Sequence, residues 1–203
     1  MIVNEIFYSI QGEGQYAGVC SVFVRLAGCP LRCRYCDTPF AWSDSSGFDY
    51  SADEIAGKAG QYPARHIVIT GGEPMTNPSI RELTERLGNT DYHITIETSG
   101  IRACRDLSCD LMSISPKLSN SRPAELKDDS GYGQIMLDVE ELSILISEYN
   151  YQLKFVVEEP RDLDETARLL ERLDNVDCER VFLMPQARNR SEYLKNAGRV
   201  AQF

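Results

Sequence analysis

The chain has 203 residues, 42% of them hydrophobic and 26% charged, and a formal net charge of −10. That size and balance fit one globular domain with a core large enough to hold a buried site, and the scattered acids, with no lysine- or arginine-rich block, exclude a nucleic-acid backbone as the expected partner. No apolar run approaches the roughly 20 residues of a membrane span, and Met1-Ile2-Val3-Asn4-Glu5 carries no export signal, so a cytoplasmic protein without a membrane partner is expected.

Six strands are expected in chain order, over residues 20–27, 66–70, 92–98, 110–115, 151–158 and 180–184, each an apolar run of strand length. Helical segments separate them. Ser51 and Glu54 form a capping box, and Asn77-Pro78 supplies a cap and a first-turn proline ahead of the stripe Ile80, Leu83 and Leu87. The polar, glycine-bearing stretch 119–133 is read as a loop. Asp138 with Glu141 opens a further helix, Leu163, Ala167 and Leu170 mark another apolar stripe, and 189–201 forms the last helix. Strands alternating with helices imply right-handed crossovers and a parallel sheet, and six such units are too few for an eight-stranded closed barrel. The expected fold is therefore α/β, a partial and open parallel β/α barrel of about six strands.

The unusual short motifs fall at the carboxyl ends of these strands. Cys29, Cys33 and Cys36 follow the first strand, Gly71-Gly72-Glu73-Pro74 the second and Glu97-Thr98-Ser99-Gly100 the third. Ser115-Pro116-Lys117 follows the fourth and Pro185-Gln186 the sixth. This is the edge at which parallel α/β folds bind ligands. Seven cysteines without an export signal favour reduced thiols or metal ligands over disulfides. A structural zinc would need a fourth ligand, for which Cys104 and Cys109 are the nearest candidates in sequence, and no second C-x2-C appears. A [4Fe-4S] cluster takes one thiolate per iron, so three cysteines would leave one iron open to a small molecule. Both readings stand on the cysteines alone, and either leaves room for a non-catalytic metal-binding module.

The C-x3-C-x2-C run, with Tyr35 before its last cysteine, resembles the signature of the radical S-adenosylmethionine (SAM) superfamily, and Gly71-Gly72-Glu73-Pro74 resembles that superfamily's second hallmark. Residues 4–14, Phe23-Val24-Arg25-Leu26, Cys36-Asp37-Thr38, 66–74, 96–100 and Ser115-Pro116-Lys117 closely resemble the 7-carboxy-7-deazaguanine synthase family. The resemblance covers nearly the whole chain, as a single domain over 1–203, and is densest in the first half. It implies a lyase that contracts the ring of 6-carboxy-5,6,7,8-tetrahydropterin with loss of ammonia, feeding 7-deazapurine and queuosine synthesis. A glycyl-radical activase shares the cysteine signature and is the competing enzymatic reading.

The family's roles map onto this sequence as expectations. Cys29, Cys33 and Cys36 would hold the [4Fe-4S] cluster and Thr38 a Mg2+ ion. Tyr35, Cys36, Asp37, Gly72, Glu73, Ser115, Pro116 and Lys117 would contact SAM, joined by Met184, Pro185, Gln186 and Ala187 where the match is looser, and Glu97 and Thr98 could face SAM as well. Ile10, Gln11, Gly12, Arg25 and Thr70 would meet the pterin, Glu73 would accept from an ammonium, and the Arg25 fork would pair with a substrate carboxylate or, as the plainer reading, form a salt bridge between strands. The resemblance also implies a homodimer and an electron donor such as flavodoxin or ferredoxin. Cys20, Cys104, Cys109 and Cys178 read as small structural thiols, and His66 and His93 as structural. Family members often continue beyond the position of Phe203 with a segment that helps close the substrate pocket.

Overall fold

The structure, a computed structural model, describes residues 1–123 and 136–202. Among these residues one sheet of eight strands runs through the molecule: β1 (Ile2–Ile10), β2 (Cys20–Leu26), β3 (Phe48–Asp49), β4 (His66–Gly71), β5 (His93–Thr98), β6 (Leu111–Ile114), β7 (Tyr151–Val157) and β8 (Val181–Pro185). Their order is β3-β1-β2-β4-β5-β6-β7-β8. The six strands from β2 to β8 are parallel neighbours, as the alternating apolar runs require, and the sheet stays open because β3 and β8 are its two ends.

Two strands lie outside the six-strand expectation. β1 pairs antiparallel with β2, and the two-residue β3 pairs antiparallel with the start of β1. The β1–β2 register shifts between Val3 and Glu5, making Asn4 the extra residue of a β-bulge. That extra residue puts Val3 opposite Leu26, on the core face, and Glu5 opposite Arg25, on the other face.

One face of the sheet is the core. Val22, Val24 and Leu26 of β2, Ile67 and Ile69 of β4, Ile94 and Ile96 of β5, Met112 and Ile114 of β6, and Leu153, Phe155 and Val157 of β7 are all buried there. The helices α1 (Ala52–Ala59), α2 (Ile80–Gly88), α3 (Val139–Glu148) and α4 (Pro160–Leu170) cover them with Ile55, Leu83, Leu87, Leu142, Leu145 and Leu169. The period-2 alternation of the strands then turns Arg25, Thr70, Glu97, Ser113, Gln152 and Lys154 to the opposite, inner face.

Helix ends follow local chemistry, with three departures from the expected starts and stripes. The Ser51–Glu54 capping box opens α1, Asp138 caps α3 through the amides of Glu140 and Glu141, and Asn189 caps the last helix, α5 (Arg190–Val200). Asn77 does not cap α2; it closes a 3-10 turn over Pro74–Thr76 in extended conformation, and α2 starts after Ser79. In α4 the buried stripe is Asp162, Thr166 and Leu169, with Leu163 and Leu170 half-buried and Ala167 exposed. The cause is Asp162, whose side chain accepts the amides of Glu158 and Glu159 and so sets the rotation of the helix. The expected loop from 119 begins as a 3-10 turn over Ser119–Ser121, and its portion from 124 to 133 lies outside the described residues.

Phe155 is among the largest fully buried side chains, with no exposed surface. Its truncation to alanine is expected to lower unfolding stability by about 3–5 kcal/mol, read from denaturant melts at constant m-value.

Candidate functional site

The cysteine loop is fastened to the carboxyl ends of β2 and β4 by main-chain bonds. Gly72 N donates to Leu26 O at 2.9 Å and Glu73 N to Gly28 O at 2.8 Å, so the parallel ladder continues past the strand ends. Gly28, at φ +94°, also donates to Ala41 O, and Cys29 N donates to Trp42 O. Side chains cannot be accommodated along this seam. A Cβ on Gly72 would stand 2.0 Å from Gly28 O, and one on Gly71, whose φ is +132°, would stand 2.1 Å from Leu26 O. The two glycines therefore admit the backbone of Leu26, at the end of β2, and of Gly28 at close range.

Glu73 is 2% exposed and both its oxygens are engaged. Oε1 accepts from Met75 N (3.1 Å) and Thr98 Oγ1 (2.6 Å), and Oε2 accepts from Ser99 N (2.8 Å) and from Ser99 Oγ. With four donors its lone-pair positions are filled, and the carboxylate binds the end of β5 to the end of β4. An ammonium accepted there would share a carboxylate that already has these four donors.

The three thiols sit around this brace. Burial pushes the Cys29 thiol up to about 12 against a hydrogen bond from the Leu31 backbone, and the negative charges of Glu73, Cys33 and Cys36 add to the effect. Burial also raises Cys33, opposed by the positive charge of Lys117. Cys36 N donates to Cys33 O, and Cys36 Sγ lies 3.8 Å from Thr38 Oγ1. Cys29 and Cys33 pack beside Leu31, Ile101 and Met136, a small apolar patch apart from the main core. Burial disfavours the thiolate at Cys29 and Cys33, which therefore need a cation before they ionise, and an iron cluster is such a cation; with Cys36 beside them the donor set fits a [4Fe-4S] cluster. Among the described residues no group of three His, Cys, Asp or Glu is arranged to hold a single metal ion. Cys104 and Cys109 hydrogen-bond to Met75 O and Ile94 O, while Cys20 and Cys178 are exposed.

The far side of the loop is tied to the segment after β6. Arg34 N and Nε donate to Ser121 O and Asn120 O, the Tyr35 hydroxyl lies 3.5 Å from Asn120 Oδ1, and Asn120 Nδ2 donates to Val156 O. Tyr35 is raised above its usual pKa, mainly by burial. Lys117 Nζ donates to Ser115 Oγ at 2.9 Å and is near enough to act electrostatically on both Cys33 and Glu13. Asp37 is exposed.

Gln11 and Thr70 converge on one group from opposite sides. Gln11 Nε2 donates to Glu97 Oε1 and Thr70 Oγ1 to Glu97 Oε2, each at 2.9 Å. The segment after β1 crosses the inner face to do this: Gln15 N reaches Gln152 of β7, and Tyr16 packs edge-on against the stacked rings of His66 and His93. Not all the expected pocket residues join them. Ile10 is 62% exposed, and Arg25 Nε is bonded to Glu5 at 2.7 Å with its guanidinium over Phe7 and Phe40. Met184, Pro185, Gln186 and Ala187 lie at the end of β8, the last strand in the sheet order, where Gln186 N donates to Val157 O and Gln186 O accepts from Asn196 Nδ2. Glu13 lies in the 4–14 stretch that carries the resemblance but has no site role from it, and Gln152 and Lys154 have none either; the polar alternation Gln152, Lys154 within the apolar run of β7 is the available signal.

The model of the radical SAM superfamily matches residues 24–136, more than half of the chain. A 7-carboxy-7-deazaguanine synthase of Halobacterium salinarum is 39% identical over 98% of this chain and 82% of its own length, and one of Rhodopirellula baltica is 36% identical over 92% of this chain and 73% of its own. The crystal structure of QueE from Escherichia coli superposes with a TM-score of 0.69 at 27% identity, covering 99% of this chain and 90% of that one. The open parallel sheet agrees with a solved relative matched over nearly the whole sequence, and the chain belongs to the radical SAM superfamily and, within it, to the 7-carboxy-7-deazaguanine synthase family.

Proposed function

We propose that this chain, as one radical SAM domain, converts 6-carboxy-5,6,7,8-tetrahydropterin to 7-carboxy-7-deazaguanine with loss of ammonia, a step of 7-deazapurine and queuosine synthesis. The observation that carries this reading is one strand-end edge bearing both the three-thiol loop, locked onto Gly71 and Gly72, and a polar inner face built from Gln11, Thr70 and Glu97. Cys29, Cys33 and Cys36 would hold a [4Fe-4S] cluster, which together with SAM would supply the radical chemistry for hydrogen-atom abstraction.

The chain's own residues position and shield. Gly72 keeps the main chain of the second loop within hydrogen-bond reach of the first, and Glu73 ties the second loop to the end of β5 by spanning to Thr98 and Ser99. Tyr35, Asp37, the Ser115-Pro116-Lys117 turn and the 184–187 segment are assigned to SAM. Gln11 and Thr70, each fixed to Glu97, present amide and hydroxyl groups to the heterocycle, and the Ile10–Gly12 backbone is assigned to the same ligand. Arg25 commits Nε to Glu5, and its two terminal nitrogens are assigned to the substrate carboxylate. Thr38 is assigned to Mg2+ together with substrate and water oxygens, since a hard ion of this kind accepts few protein ligands. A flavodoxin- or ferredoxin-class donor, a homodimer and a cytoplasmic location complete the proposal; among the described residues no helix is long and apolar enough to cross a membrane.

Reconstituted, reduced protein given SAM, Mg2+ and the carboxypterin should yield the deazaguanine acid by mass spectrometry; 5′-deoxyadenosine without that product would overturn the substrate assignment. Cys33→Ser is expected to lose the charge-transfer absorbance of the cluster and all turnover, whereas Cys104→Ser keeps both. Gly72→Ala, which drives a methyl into Gly28 O, should cost roughly 1–3 kcal/mol of stability and lower the iron retained per chain, measured by iron analysis after desalting.

A further inference from the structure

On the inner face, β7 carries a lysine that the roles assigned above leave unused. Lys154 is 3% exposed, and its Nζ donates to Glu13 Oε2 at 2.8 Å and stands 3.7 Å from Glu97 Oε1. Glu97 in turn accepts from Gln11 and Thr70, and Gln11 Oε1 accepts from Glu13 N at 3.1 Å, so Lys154, Glu13, Gln11 and Glu97 close a ring. Two residues earlier on the same face, Gln152 accepts from Gln15 N and donates to Ser113 Oγ. Gly14, at φ +67°, lies so close that a Cβ there would stand 2.2 Å from the Gln152 amide nitrogen. Two inward polar side chains of β7 thus grip the 11–15 segment.

We propose that Lys154 is the positioning residue of the substrate pocket: its shared ammonium fastens the Gln11–Gly14 segment across the inner face and gives Glu13 and Glu97 their common counter-charge. The inference rests on the function proposed above only for the identity of the ligand. Partial burial would raise the Glu13 carboxyl, but the Lys154 ammonium outweighs it and holds Glu13 below its usual range. Burial would lower Lys154, and Glu97 and Glu13 outweigh it and hold its pKa above the usual value. The sign follows: the Lys154 contribution is present below the ordinary lysine pKa and lost only as pH rises through the raised one, and the Glu13 contribution is lost as pH falls through the depressed one. The ring is therefore intact through neutral pH. The charged groups facing it are Glu13 from the segment after β1, Glu97 from β5 and Lys117 from the turn after β6. Arg25 of β2 is engaged by Glu5, β4 contributes the neutral Thr70, and Phe182 of β8 lies opposite Lys154 in register.

Without the ammonium, the Glu13 and Glu97 carboxylates would lose their shared counter-charge, and Glu13 would lose the interaction that holds it below its usual range. Lys154→Met is expected to speed amide hydrogen exchange of residues 12–16 at least about tenfold, and to raise the acid limb of the kcat/KM profile by about one pH unit. KM for the pterin should rise more than kcat falls. Lys154→Arg should restore the acid limb and most of the protection, and Glu13→Gln should reproduce the faster exchange. Normal exchange and an unmoved acid limb in Lys154→Met, with affinity nevertheless lost, would mean that the lysine touches substrate and would overturn the positioning role; a Met variant that does not fold shifts the test to the Arg and Gln variants, where wild-type exchange in Glu13→Gln has the same force. Exchange is read on the protein without substrate or turnover, so failure of the carboxypterin to bind the wild-type protein would count against the proposed function and leave the exchange result to judge Lys154.

Discussion

Two amide-to-carbonyl bonds, Gly72 to Leu26 and Glu73 to Gly28, extend the pairing of β2 and β4 beyond the point where both strands formally end. Everything at the candidate site is referenced to that seam. It fixes the first cysteine relative to the second loop, and it brings Glu73 to where the donors of Thr98 and Ser99 can reach it. Main-chain bonds between rigid strand ends define position more tightly than side-chain contacts on a long loop, and a cluster site needs that definition because its ligands come from one short segment.

The inner face is organised by electrostatics where the outer face is organised by burial. Outward residues of β4, β5 and β7 form a continuous apolar layer, while the inward ones carry carboxylates, amides and a lysine nearly out of contact with water. Buried ion pairs are a poor source of stability, since the cost of removing charges from water offsets most of their attraction. A polar interior of this kind is expected where a sheet must recognise a heterocycle rather than merely close, and it supports the substrate reading advanced here.

The parallel sheet was legible because its strands are buried on at least one side and read as plain apolar runs, and the edge that carries the motifs followed from their order. β1 was not legible as a strand. Its bulge at Asn4 moves Val3 to the core and Glu5 to the inner face, so Ile2-Val3-Asn4-Glu5-Ile6 shows no clean alternation. The cysteines and glycines were identifiable as a set, but their partners were not: the acceptor capacity of Glu73 is used by Thr98 and Ser99, some 25 residues away, and Arg25 meets Glu5 because of a register that the bulge creates. Lys154 escaped notice for a related reason, since its worth depends on a segment from the other end of the chain crossing the face beneath it. Side-chain identity reveals chemistry, whereas which neighbour satisfies it is a property of the assembled sheet.

The same bulge has a consequence for how molecules of this protein meet. β3 covers only Ile2 and Val3, and among the described residues no strand pairs with the outer rim of β1 from Glu5 to Ile10, where Tyr8 and Ile10 are exposed. A flat apolar rim of that length would template strand addition between molecules and lead to aggregation. The kink at Asn4, anchored by its side chain to Ser46 O, increases the local twist, and the charge on Glu5 follows immediately, so an incoming strand finds neither a straight ladder nor an uncharged one.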